Sequence, residues 1–311
     1  MEDPEGLYTL SLDISDVPTG LPLVAGLTGF ADAGGSVSLL TSNLTNSLDT
    51  RVIATFHNDA LLDYRARRPT IYFEQDHLTN YQPPSLALYL ATDEIGQQFL
   101  LLSGYEPDFQ WERFTEAVLS LIDTFQAKTT TWVHAIPMPV PHTRPIGVTV
   151  SGNRSDLIET FSVWKPHTQV MANALHLVEY RLQELDHPVA GFVLLIPHYL
   201  SDTEFPDAAF KALESVSSAT GLIFATTNLR DEARDFVEKI DKQVEGNAEL
   251  AKLVGALEVR HDAYMAGNPL RSPLIDEDGE LPTADEIAAE LETFLALRHN
   301  GDDEQPPQLS E

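Results

Sequence analysis

Residues 21–225 alternate short apolar, β-branched runs with stretches whose apolar side chains recur every three or four positions. That alternation predicts βα units and a mostly parallel sheet covered on both faces. Residues 21–30 read as a buried strand that passes through the small-residue turn Ala31-Asp32-Ala33-Gly34-Gly35 into a helix beginning near Ser36, and 51–56 read as a second strand. Phe114, Ala117, Val118, Leu121, Ile122 and Phe125 form one unbroken helical stripe. Residues 132–136 and 146–150 predict strands flanking the loop 137–145, whose four prolines hold it extended. A helix over 170–185 and the very apolar strand 189–196 complete this body.

Two segments break the pattern. Between 70 and 105 the helical period disappears, and 70–73, 85–91 and 97–102 predict strands, the last two joined by the turn-forming Thr92-Asp93-Glu94-Ile95-Gly96. We read an inserted β-hairpin near 70–105, whose Tyr72, Phe73, Tyr81 and Tyr89 serve oligomer contacts or fold back on their own domain. From Asn228 onward only helical spacing survives, through Phe236, Val237, Ile240 and Val244, then Leu250, Leu253, Val254 and Leu257. A last helix opens on the capping box Thr283-Ala284-Asp285-Glu286 and carries Ile287, Leu291, Phe294 and Leu295 on one face. The expected organisation is an α/β core over 1–227, a lid-like helical module over 228–300 and a disordered acidic tail over 301–311.

Charge narrows the function. The 311 residues carry 19 Lys and Arg against 48 Asp and Glu, a net of −29, and no Cys. Disulfide scaffolds, thiolate metal sites and cysteine nucleophiles are excluded. So acidic a chain repels polyphosphate and anionic lipid, which removes nucleic acid and membrane surfaces as partners. The start Met1-Glu2-Asp3-Pro4-Glu5 and the lack of a long apolar run predict neither a signal peptide nor a membrane span, and so a cytoplasmic protein.

In open α/β sheets ligands bind beyond the carboxyl ends of the strands. That rule selects Gly29, Phe30, Asp32, Gly34 and Gly35; His57, Asn58 and Asp59; Gly104 and Glu106; His134, Ser151 and Asn153; and His198 with Tyr199. The Gly34-Gly35-Ser36 helix start could cradle an anion, but Asp32 argues against one. Asp32 either bonds its own helix N-terminus or binds a ligand amine, hydroxyl or cation. Asp63-Tyr64-Arg65-Ala66-Arg67-Arg68-Pro69 holds the one basic cluster. Its guanidinium groups suit a small anionic ligand, or they pair with the acidic helical module or a neighbouring subunit. His176 and Glu179 have a zinc-peptidase spacing within an amphipathic helix, off its apolar face, and His57, Asp59, His134 and His198 read as ordinary core or surface residues, so neither a metal nor a cofactor is expected. No Gly-x-Ser-x-Gly elbow frames Ser36 or Ser151. A catalytic signature is missing; the acid/base candidates are His134 and His198.

Three segments taken together, Gly29-Phe30-Ala31-Asp32-Ala33-Gly34-Gly35, Asp59 with Asp63 to Pro69, and Val193 to Tyr199 before Pro206-Asp207, resemble the proteasome assembly chaperone 2 family in its actinobacterial branch. The resemblance spans roughly residues 21–264. It implies a three-layer αβα, phosphorylase-like core, a β-hairpin used in oligomer contacts, trimers among bacterial members, and a C-terminal helical segment over a ligand cleft. It brings no catalytic residues. Gly29, Phe30, Asp32, Gly34, Asn58, Asp59, Tyr64 and Arg68 transfer as family positions, and His198 and Tyr199 join them as ligand-binding candidates. Relatives that dock on proteasome rings often end in a hydrophobic residue, Tyr and any residue; this sequence ends Gln308-Leu309-Ser310-Glu311, so direct tail insertion is not expected. The expected function is an oligomeric ligand-binding or protein-assembly factor without catalysis. The alternative is a hydrolase or phosphorylase acting on a small nucleoside-like or amide substrate, with Asp32, Asp59 and His198 gathered in one cleft under the terminal helices.

Overall fold

A computed structural model describes residues 6–11, 14–165 and 167–267. In chain order the strands are β1 (Tyr8–Leu10), β2 (Pro22–Thr28), β3 (Asp49–Phe56), β4 (Thr70–Glu74), β5 (His77–Gln82), β6 (Leu86–Thr92), β7 (Gln98–Tyr105), β8 (Thr129–Met138), β9 (Gly147–Gly152) and β10 (Val189–Pro197). The helices are α1 (Ser36–Ser47), α2 (Asn58–Leu61), α3 (Trp111–Thr124), α4 (Ser155–Phe161), α5 (Ala174–Glu184), α6 (Pro206–Thr220), α7 (Thr227–Gly246) and α8 (Ala248–Gly267).

Eight strands make one sheet in the order β1-β3-β6-β7-β2-β8-β10-β9. Its centre, β7-β2-β8-β10, is parallel, whereas β6, β3 and β1 on one side and β9 on the other add antiparallel pairs. The sheet is therefore more mixed than the alternation of patterns predicts, because short turns such as 93–97 between β6 and β7 can only join antiparallel neighbours. Helices cover both faces. Leu40 and Leu44 of α1 and Ala212, Leu213 and Val216 of α6 pack on one; Phe114, Val118 and Leu121 of α3 and Leu175, Val178 and Leu182 of α5 pack on the other. Pro206 opens α6 and Gly221, at φ 78°, closes it, each where its backbone constraint costs least.

The segment expected to form the hairpin divides in two. β6 and β7 are buried strands of the main sheet, and β4 and β5 alone form a separate two-stranded ribbon. Apolar side chains on both faces draw β6 and β7 into the core; the more polar β5 stays in solvent beside β4. The helix expected from 170 begins at Ala174, because the Asn173 side chain accepts the His176 N–H while His176 Nδ1 accepts the Asn173 N–H. Val170 and Met171 are thereby left exposed.

α7 and α8 bury Val254 and Leu257 and pack Phe236, Val237, Ile240, Val244, Leu250 and Leu253 on the α6 side of the core. The capping box at Thr283, the stripe from Ile287 to Leu295 and the tail 301–311 lie outside the described residues. No described helix is long and apolar enough to cross a membrane.

Candidate functional site

The strand directions bring the carboxyl ends of β2, β3, β7, β8 and β10 to one edge of the sheet. At its middle stands Glu106, the buried residue that follows β7. Its Oε2 accepts the Phe30 N–H at 3.1 Å and its Oε1 accepts the Ala174 N–H at 2.8 Å, so one carboxylate ties the tip of β2 to the first residue of α5. Gly29 permits this approach, since a Cβ there would stand 2.7 Å from Glu106 Cβ. Asp32 serves α1 in the same way. Its Oδ1 accepts the Val37 N–H at 2.7 Å, and its Oδ2 accepts the Ser38 N–H at 3.0 Å and the Ser38 hydroxyl at 2.7 Å. Gly34 N–H donates to Ser201 O and Gly35 N–H to Asp32 O. The helix N-termini where an anion would bind are thus filled by the chain's own carboxylates. Glu106→Gln keeps one of its two accepted bonds at best, and a lowered stability of about 1–2 kcal/mol is expected, read as the urea midpoint against wild type.

At the tip of β3, His57 reaches Gly6 O and Thr9 Oγ1, each at 2.8 Å, and so fastens the N-terminal segment. Asn58 donates to Pro84 O and accepts the Tyr105 hydroxyl, both at 2.7 Å. Asp59 accepts the Tyr64 hydroxyl at 2.8 Å, and this bond is the main reason the Tyr64 pKa is raised to about 12. Burial pushes Tyr105 up as well. Arg67 lies over the Tyr105 ring, 5.1 Å from its centroid, and donates through Nη2 to Glu106 O at 2.6 Å and to the Asp108 carboxylate. Arg67 therefore braces the tips of β3 and β7 against each other, while Arg65 and Arg68 are exposed.

His134 lies within β8, where its neighbour Ala135 bridges to Asp32, and His198 opens the turn after β10 at the same edge. His134, midway along β8 and 6% exposed, faces His176 of α5 with ring centroids 6.0 Å apart. Burial first, and His176 second, bring its pKa down to about 4, although Asp32 acts in the opposite direction. Glu179, one helical turn beyond His176, accepts the Trp132 indole N–H and the Ser151 hydroxyl, both at 2.7 Å. His176 and Glu179 thus have separate structural tasks, and among the described residues no group of three or more His, Asp and Glu side chains is arranged to hold a metal ion.

His198 and Tyr199, both buried, follow β10, with their rings 5.5 Å apart. The Tyr199 hydroxyl accepts the His142 N–H at 2.7 Å and lies 2.6 Å from His142 Nδ1, whose ring reaches Asp241 of α7 through Nε2 at 3.2 Å. Arg144 pairs with Glu258 at 3.1 Å and Asp262 at 2.7 Å on α8. Its hydrogen bonds hold Asp262 well below the usual carboxylate range. The proline loop is thus a clamp for α7 and α8. Asp32 and Asp59 have separate hydrogen-bond partners, Asp32 in α1 and Asp59 at Tyr64, and among the described residues no hydrogen bond or ion pair links α7 or α8 to Asp32, Asp59 or Glu106.

The model of the PAC2 family matches residues 26–244. This chain belongs to the PAC2 family. No curated protein sequence matches it. The PAC2 fold is shared with Rv2714, a Mycobacterium tuberculosis protein of unknown function, at 40% identity and a TM-score of 0.79 over 86% of this chain and 94% of that one. A Corynebacterium glutamicum protein of unknown function is 34% identical, with a TM-score of 0.80 over 85% and 98% of the two chains. Rv2125 of M. tuberculosis, described as a proteasome-assembly chaperone homologue, is 22% identical, with a TM-score of 0.69 over 75% of this chain and all of that one. At that identity the PAC2 architecture is what the two have in common.

Proposed function

We propose that this PAC2 chain is a cytoplasmic, non-catalytic protein-assembly factor that works as a homotrimer joined through the β4–β5 ribbon. The observation that carries the reading is the ribbon's apolar face. Phe73 pairs with Leu78, and the register shift between Thr70 and Tyr72, with Asn80 at φ 49°, places Tyr81 on the same face as Ile71. Ile71, Phe73, Leu78 and Tyr81 are 45, 70, 60 and 57% exposed. Such a stripe on a projecting ribbon is stabilised by covering it with protein. The name of the M. tuberculosis chaperone homologue suggests proteasome subunits as the assembled partner. The phosphorylase-like layout enters the reading as architecture only, supported by the parallel centre with helices on both faces.

The strand-tip chemistry supports assembly over hydrolysis or phosphorolysis. Asp32 holds a helix N-terminus, Asp59 holds a tyrosine, and Glu106 spans two elements. In this reading Gly29, Asp32, Gly34, Asn58, Asp59, His198 and Tyr199 are framework, whereas the exposed Phe30 and Arg68 remain for contacts.

Sedimentation at micromolar concentration tests the oligomer. Wild type is expected at three times its 34.4 kDa mass. Phe73→Ser with Leu78→Ser removes two anchors worth about 2 kcal/mol each when buried and is expected to weaken association more than tenfold. A monomeric wild type overturns the oligomer, and an unchanged double variant overturns the role of the ribbon. Native mass spectrometry with proteasome subunits tests the partner, and failure to form any complex removes it.

A further inference from the structure

The basic loop 63–69 is built to present charge outward. The Asp63 carboxylate accepts the Arg65 N–H at 2.9 Å, Asp63 O accepts the Ala66 and Arg67 N–H groups at 3.1 and 2.9 Å, and the Asp63 N–H donates to Asp108 at 2.7 Å. Arg67 fastens the loop to the β7 tip as described. Its other terminal nitrogen, Nη1, is buried and has no acceptor among the described residues. Beside it, Phe109 is half exposed, with the Asp108 and Phe109 N–H groups both donating to Leu61 O. The sequence leaves two uses for the arginines besides a small anion, the chain's own helical module or another molecule. Contacts of α7 and α8 run to Phe205, Phe210, the proline loop and Val163, on the β8-β10-β9 half of the molecule, whereas loop 63–69 sits on the β3-β7 half. The described part of the helical module therefore does not meet it.

Resting on the assembly reading above, we propose that loop 63–69 with Phe109 is a docking site for an acidic segment of a partner protein that carries an aromatic side chain. Charge complementarity selects that occupant. Three of the 19 Lys and Arg side chains lie within four positions, in a chain whose net charge is −29. A partner carboxylate gains two-pronged hydrogen bonds from Arg65 or Arg68, and its aromatic ring covers Phe109. Elsewhere the acidic surface repels the same segment, which fixes where it lands. The rigid backbone of the loop lowers the ordering cost of the contact.

The probe is a fluorescent peptide, acetyl-Glu-Glu-Phe-Glu-Glu-amide, titrated against the full chain by anisotropy, with its Gln and Lys counterparts as controls. The acidic peptide is expected to bind at least tenfold more tightly than either control. Arg65→Glu with Arg68→Glu is expected to abolish binding while leaving the melting temperature and the sedimenting mass unchanged. Equal binding of the Gln peptide, or wild-type binding by the double variant, overturns the proposal, as does complete competition by equimolar glutarate, which would mark a small-anion site. Such a failure alongside an intact ribbon-dependent oligomer removes this inference alone. An oligomer that fails while the peptide still binds removes the ribbon and spares this one.

Discussion

Alanine at position 104 is expected to cost roughly 3–5 kcal/mol, enough to take most of the stability of an ordinary domain. Gly104 lies within β7 at φ 145°, opposite Leu86 of β6. A Cβ there would stand 2.2 Å from Ser85 O and 2.5 Å from Leu86 Cα. Both atoms belong to the neighbouring backbone, so no side chain can rotate aside, and relief requires β6 to part from β7. The same backbone carries Tyr105, which Asn58 holds by a hydrogen bond, and Glu106 to the strand tip, so the loss reaches the candidate site. Gly96→Ala is the control. Gly96 also has a positive φ, 85°, but nothing lies within 4 Å of its added Cβ, and about 1 kcal/mol is expected. Urea denaturation with near-ultraviolet circular dichroism separates the two; equal midpoints for both variants would show that the sheet yields at 104.

Much of this architecture is legible in the sequence because burial imposes period. The 114–125 stripe is buried along α3 and its C-cap residue Phe125, and the apolar run 189–196 lies within β10. Strand pairing is less legible, because apolar runs such as 85–91 and 97–102 have the same appearance in a projecting hairpin as in a sheet interior. Only partners far away in sequence decide, as Val52 of β3 does by pairing with Tyr89 and Val24 of β2 by pairing with Leu101. The strand-end rule picks out Asp32, Asp59 and Glu106, which stand beyond the carboxyl ends of β2, β3 and β7, and it also picks His134, which lies inside β8. It is silent on what they bond, since the donors to Asp32 are amides of a helix five residues on and one donor to Glu106 is 68 residues away. His142 and Arg144 escape it because they belong to a loop, and proline spacing reports stiffness but not the α7 and α8 carboxylates that the loop holds. The positions that sequence patterning marks as chemical are mostly used to fasten helices to strand tips, and the groups left facing outward are arginines and apolar side chains.

Stability is expected to fall by about 2 kcal/mol between pH 7.5 and pH 5 through His134 alone. Its folded pKa, near 4, lies below the ordinary 6.5 of the unfolded chain, so the unfolded state binds the proton first as acid is added. The stabilising contribution is complete above about pH 6.5, declines as pH falls, and is gone below about 4, a total near 3 kcal/mol at 1.36 kcal/mol per unit. Burial lowers His176 and His187 too, which steepens the loss. Buried Glu179 is raised by desolvation and acts the other way, since an acid with a raised folded pKa favours the fold at low pH. His134→Leu keeps an apolar side chain beside Trp132 and His176 and removes the titrating ring. Its stability is expected to change about 2 kcal/mol less than that of wild type over the same interval, measured as urea midpoints at matched ionic strength. Parallel pH profiles for the two proteins would mean that His134 takes up its proton without opening the contact between β8 and α5. In that case the imidazole pair would not be the acid-sensitive joint beneath the helix that Glu106 anchors.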